Sequence, residues 1–256
     1  MNLLYIGNKH YKNIKVKSVL ETLESLFESF ISVKTCSDKK NKVFRLFDML
    51  FYFFRYGLFY NKIMIDVYST LAIQYAYTFS ILSIIFNKKY ILFLHGGNLP
   101  NKFESSPTLL TLILSKAEKI ISPSAYLASF FKEKGFNVII IPNIIEIEKY
   151  PFFPRNNIRP KILSIRGFSK IYNPIMTLKA MKLLKSDYPN FELLMLGLST
   201  DDQYKSVNDF IHQNDLAKNV IIKEKMSLSK WIKISKNYDV MVSNPVIDNT
   251  PVSLIE

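Results

Sequence analysis

Residues 162–197 constrain the fold more than any other stretch, reading ILSIRGFSKIYNPIMTLKAMKLLKSDYPNFELLMLG. Residues 162–165 and 191–196 are short, bounded and apolar, the pattern of buried parallel strands. Between them Asn173 is a helix N-cap and Pro174 occupies a first helical position, which tolerates a missing N–H. Ile175, Leu178, Met181 and Leu184 recur on one stripe, and Thr177, Lys179, Lys182 and Lys185 are expected to face away. The pattern is a βαβ unit. Its first strand runs out into Arg166, with Lys170 four residues on. Ligands of open α/β sheets bind beyond the carboxyl ends of strands, where two cations suit a phosphate or diphosphate. A solvated loop carries such charges equally well.

At 256 residues the chain has room for one large domain or two small ones. A hydrophobic content of 48% and an aromatic content of 14% place it among globular chains and exclude general disorder. The net charge of +13 fits nucleic acid, an anionic membrane or an anionic substrate. Only 5 of the 34 cationic side chains are arginine, and arginine dominates base and bidentate phosphate contacts, so no nucleic-acid partner is expected. Cys36, the single cysteine, excludes an intramolecular disulfide and fits a reducing compartment. Residues 8–17 are too polar for the apolar core of a signal peptide. Residues 67–86 approach the length of a membrane span, but the repeated Ser and Thr residues read as a buried helix.

The chain opens with an apolar strand, Asn2–Ile6, a Gly7 turn and a helix from about residue 17 to 30. That is how a Rossmann-like domain begins, yet no G-x-G-x-x-G follows, so a dinucleotide cofactor is not expected. Residues 42–62 place an aromatic on most helical turns, with Arg45, Arg55 and Lys62 interspersed. This is either a core helix with its charges outward or an interfacial helix on an anionic membrane. Lys62–Val67 reads as a strand carrying Asp66. Tyr90–Leu94 is the next strand and closes on His95-Gly96-Gly97, where two glycines let backbone approach a ligand beside an imidazole. A strand at 119–121, a helix capped by Gly135 and a strand at 138–141 complete the first domain, residues 1–145. Pro151, Pro154 and Pro160 mark a linker at 146–160.

The second domain, residues 161–256, continues with a helix at 201–213, a strand at 219–223, a helix opened by Ser227 and a strand at 239–243. It finishes on Asp248-Asn-Thr-Pro-Val-Ser-Leu-Ile-Glu256, two carboxylates eight positions apart. The Arg166/Lys170 pair followed by this motif resembles the nucleotide-sugar-dependent retaining glycosyltransferases of family 4. Those enzymes carry the two-domain GT-B fold, an α/β architecture of two Rossmann-like domains facing across a cleft. There the motif is Glu, seven residues, Glu. This chain has Asp248 in the first position, and its lysine comes one residue earlier than the family's.

The resemblance implies that Arg166 and Lys170 hold the diphosphate and that Glu256 holds the ribose. It places Asp248, Asn249, Thr250, Pro251 and Val252 against the donor sugar and phosphate, and His95 beside the sugar. It gives Gly7, Gly96 and Gly97 loops near the substrates. It implies no cofactor and no bound metal, a glycan or lipid-linked acceptor, and a place in bacterial cell-surface polysaccharide or glycolipid assembly. The location implied is cytoplasmic, peripheral on the inner face of the membrane. It also implies that the second domain is cut short at Glu256, before the family's closing helix, and that this form is inactive. A nucleotide-sugar epimerase of the same fold and a noncatalytic membrane-associated scaffold are the alternatives.

Overall fold

The computed structural model describes residues 1–9, 18–145, 147–224 and 226–255. The chain folds as two compact units, Met1–Ile144 and Ile145–Glu256. Each is built on a wholly parallel sheet.

The first unit's strands are β1 (Asn2–Ile6), β2 (Ser32–Cys36), β3 (Lys62–Val67), β4 (Tyr90–Leu94), β5 (Lys119–Ser122) and β6 (Val138–Ile140). They lie in the order β2-β1-β3-β4-β5-β6, with Ile6 opposite both Cys36 and Ile65, and Asp66 opposite Phe93. Its helices are α1 (Val19–Phe27), α2 (Lys42–Tyr52), α3 (Ile73–Ile85), α4 (Leu99–Ser105), α5 (Pro107–Lys116) and α6 (Ala125–Glu133). Leu4, Ile63, Leu92 and Leu94 are completely buried on this sheet with Phe53 and Phe79, which explains why these strands read as unbroken apolar runs. Ala76, Phe79, Ser80 and Ser83 of α3 are also completely buried, so residues 67–86 form a strand end and a core helix. Among the described residues no helix is long and apolar enough to cross a membrane.

Several local expectations change. The helix expected from about residue 17 has its described part at Val19. Ser18 caps it through a reciprocal box, its hydroxyl accepting from Glu21 N while its own N–H donates to Glu21. Residues 42–62 are not one helix: α2 gives way to a π-helical turn, Phe53–Gly57, and the chain then turns into β3. Strand β2 and helices α4 and α5 had no counterpart in the sequence reading. Gly135 adopts φ 88° and ends α6, as its type predicts.

The second unit's sheet has the order β10-β7-β8-β9, from β7 (Lys161–Ser164), β8 (Glu192–Leu196), β9 (Val220–Lys223) and β10 (Val240–Met241). Helices α7 (Pro174–Asp187), α8 (Tyr204–Gln213), α9 (Leu228–Ser235) and α10 (Val252–Ile255) complete it. Asn173 is not a side-chain cap. It sits in the left-handed region at φ 51°, ψ 52°, between a 3-10 turn at Lys170–Tyr172 and α7. Thr177 does not face away either: it is 2% exposed and donates to Asn244 Oδ1 at 2.7 Å. Ser227 precedes α9 without a side-chain cap bond, and the strand expected at 239–243 pairs only over Val240–Met241. The proline-marked segment is held against this unit. Arg155 donates to the Tyr238 carbonyl at 2.8 Å, and Arg159 to Asp239 at 2.7 Å.

Candidate active site

Both sheets have a strand where the chain order reverses. From β1 the chain steps out to β2 and returns to β3 on the other side. From β7 it runs through β8 and β9 and returns to β10. The crevice beyond the carboxyl ends at such a reversal is where open α/β sheets bind ligands. Each unit carries a cluster of candidate residues there.

In the first unit the cluster centres on Asp66, whose side chain is 1% exposed. Its Oδ1 accepts from the Tyr5 hydroxyl at 2.7 Å and lies 2.8 Å from His95 Nε2. Its Oδ2 accepts from the Tyr68 hydroxyl at 3.4 Å. A carboxylate only accepts, so this contact puts a proton on Nε2 of the imidazole. The ring is further fixed by Tyr68 stacked at 5.1 Å and by Phe93 at 4.1 Å. Burial, with the adjacent Asp66 adding to it, holds the Tyr5 and Tyr68 hydroxyls well above the usual tyrosine range, so both remain donors.

Gly7 and Gly96 stand against the protein's own atoms. A Cβ on Gly7 would lie 2.2 Å from Asp66 Oδ2, and one on Gly96 2.4 Å from Ser69 N. These glycines admit the protein's own side chain and backbone. Gly97 follows in the turn before α4.

In the second unit Arg166 follows β7 and meets the loop after β10. Its Nη2 donates to Asp248 Oδ2 at 2.8 Å and its Nη1 to Ser253 Oγ at 3.3 Å, and the guanidinium lies over the Tyr172 ring at 4.3 Å. Its Nε is buried and has no acceptor among the described residues. Asp248 Oδ1 accepts from Asn249 N at 2.8 Å. Thr250 and Pro251 give their carbonyls to Val252 N and Leu254 N at the start of α10. Lys170 is exposed in the 3-10 turn, and its ammonium makes no ion pair among the described residues. Glu256 lies outside the described residues.

Sequence reasoning did not single out what shapes this loop. Asp201 Oδ2 accepts from Phe168 N at 2.8 Å and Leu198 N at 2.9 Å, which ties the Arg166 loop to the end of β8. Phe168 is completely buried, and a Cβ on Gly197 would lie 2.4 Å from its ring. Val246 N donates to the Ile171 carbonyl at 2.8 Å, and Asn244 joins Thr177 to the Asn173 carbonyl. A cavity of about 370 Å³ in the same unit, lined by Phe152, Trp231, Tyr238 and Met241, reaches this region only through Ser253, Leu254 and Ile255. It touches neither Arg166 nor Asp248. Among the described residues no group of three or more His, Cys, Asp or Glu is placed to hold a metal ion.

Two units, each a wholly parallel sheet with a reversal of strand order, define a Rossmann-like α/β class of fold. No family model matches the sequence, and no curated protein matches it. Solved structures do match. HepE of Anabaena, in complex with UDP and glucose, has a TM-score of 0.68 at 14% identity, over 100% of this chain and 77% of its own. The lipopolysaccharide outer core galactosyltransferase WaaB, in its apo form, gives 0.61 at 11% identity, over 100% and 77%. A glycosyltransferase from Rickettsia africae gives 0.61 at 14% identity, over 96% and 73%. At these identities the likeness carries the fold alone.

Proposed function

We propose that this chain is a glycosyltransferase that moves a sugar from a nucleotide-diphosphate sugar to a glycan or lipid-linked acceptor. The observation that carries the reading is Arg166 at the β7/β10 reversal, held on two sides by Asp248 and Ser253 while its buried Nε has no acceptor among the described residues. A guanidinium held in this way offers a remaining N–H to an anionic oxygen without having to be ordered on binding. The fold adds weight, since HepE was solved with UDP-glucose as well as with UDP and glucose. Membership of family 4 and retention of configuration belong to the same proposal, as do a metal-free mechanism and a cytoplasmic location.

In this mechanism the bond from the sugar's anomeric carbon to the diphosphate oxygen breaks as an acceptor hydroxyl oxygen bonds to that carbon and gives up its proton. Arg166 and Lys170 offset the charge that develops on the departing nucleoside diphosphate. Asp248 aims Arg166, the backbone at residues 249–252 faces the sugar and phosphates, and Glu256 takes the ribose hydroxyls. His95, its ring fixed by Asp66, is the first unit's candidate for contact with a substrate sugar.

The test is calorimetric titration of UDP, GDP and ADP into the protein and into Arg166→Ala. One nucleotide is expected to bind, and the variant to bind it roughly 10- to 100-fold more weakly, the loss of charge-assisted hydrogen bonds. Arg166→Lys is expected to recover little, because a point charge does not reproduce the planar fork. Absence of nucleotide binding by the folded protein, or an unchanged affinity in Arg166→Ala, would overturn the assignment.

A further inference from the structure

Helix α2 and the π-helical turn after it present apolar surface on two sides. Inward, Met49 and Phe53 are completely buried, and Leu46 and Leu50 pack beside them on the core. Outward, Val43, Phe44, Phe47 and Phe51 are 59%, 67%, 63% and 62% exposed. At 3.6 residues per turn these four share an arc of about 100°, a continuous stripe. The π-helical turn extends it, keeping Phe53 inside and leaving Phe54 out. Phe54 then meets Phe86, the residue ending α3, with ring centroids 5.8 Å apart. Ile85 and Phe59 are exposed as well, at 67% and 76%. Exposed aromatics in a contiguous group are unusual for a water-facing surface and mark a binding face.

The charges around the stripe identify what it binds. Lys40 and Lys42 are exposed at its amino end, Arg55 is exposed beside Phe54 with its guanidinium over the Tyr56 ring, and Lys89 is exposed just past Phe86. The nearby acids are Asp38, which lies 3.6 Å from Lys39, and Asp48, on the polar arc of α2 with Arg45. Phenylalanines on one face bordered by lysine and arginine are what an interfacial helix needs to sink its rings below the headgroups of an anionic bilayer.

We infer that this face is a membrane-docking surface for anionic phospholipid, with α2 lying in the interface plane. The inference stands apart from the donor reading, because no residue of the Arg166 cluster takes part in it.

The experiment sediments the full chain with vesicles of about three parts phosphatidylcholine to one part phosphatidylglycerol. The protein is expected to sediment with them. The triple variant Phe44→Ser, Phe47→Ser, Phe51→Ser is expected to lose at least about tenfold in partitioning. The pair Lys42→Glu, Arg55→Glu is expected to lose the preference for anionic over pure phosphatidylcholine vesicles. In Phe51→Trp, which keeps the aromatic, brominated acyl chains are expected to quench emission beyond what Trp231 alone shows. Binding by the triple variant equal to the parent's would overturn the inference. So would failure of the parent to bind, or a lipid-free dimer that the triple variant breaks while neither form partitions.

Discussion

The residue that decides the first unit's cluster is Asp66, a carboxylate closed in by two tyrosines and a histidine. Its place depends on what is missing at position 7. Gly7→Ala would put a methyl 2.2 Å from Asp66 Oδ2 and 2.7 Å from Leu20 Cδ1. Either Asp66 shifts away from Tyr5 and His95 or the β1 turn moves. The expected cost is about 1–3 kcal/mol of stability, the usual range for overpacking, read from denaturant midpoints. Tyr5→Phe leaves the volume nearly unchanged and removes one donor to Asp66, so it should cost less and leave the packing intact. The sequence showed each member of this cluster but not their meeting. Asp66 read as a strand-end acid and His95 as a loop imidazole, 29 positions apart. Only the pairing of β3 with β4 brings them together. At Gly7 and Gly96 the atoms that leave no room for a Cβ belong to Asp66 and Ser69.

Elements were legible where their surroundings are uniform. Strands β1, β3 and β4 have the ends read from the sequence, because a strand buried on both faces is mostly apolar, Asp66 of β3 being the buried exception. Strand β2, SVKTC, is an edge strand whose exposed Ser32 and Lys34 interrupt the apolar signal. The loop that presents Arg166 was hidden for a further reason. Helical periodicity assigned Thr177 to the solvent side of α7, but it is buried because Asn244, 67 residues away, satisfies its hydroxyl. This bond, with that from Asn244 to the Asn173 carbonyl, pins the β10 loop to the start of α7. Thr177→Val should therefore cost about 1–3 kcal/mol by leaving Asn244 short of a buried partner. It should also weaken nucleotide binding without touching the ligand, since Asp248 is carried on the pinned loop. Urea melts together with the nucleotide titration check both. Loss of stability with unchanged affinity would show that the loop holds its shape without the bond.

At the scale of the molecule, two units built alike put their polar clusters at the same topological position. The reversal of strand order creates the crevice, and local sequence fills it with Asp66 and His95 in one unit and Arg166 and Asp248 in the other. The chain between the sheets is not a free tether, because Arg155 and Arg159 both reach Asp239 at the foot of β10. Hydrogen bonds from Arg159, with those from Arg155 and the nearby charges, hold the Asp239 carboxyl well below the usual carboxylate range. A carboxyl lowered in the folded state binds protons more readily when unfolded. Its contribution to stability is therefore present above the ordinary value of about 4 and is lost as pH falls through the lowered one. The Tyr238 hydroxyl lowers Glu192 in the same unit, so its contribution fades in the same direction. A formal charge of +13 at neutral pH, growing as carboxylates protonate, adds repulsion in that range. Asp239→Asn keeps the shape and removes the titration. The parent should lose more melting temperature than the variant on going from about pH 5 to about pH 2, while near neutrality the variant should melt lower. Parallel melting curves across that range would mean that the ion pairs at Asp239 hold the segment in place without coupling it to the stability of the sheet.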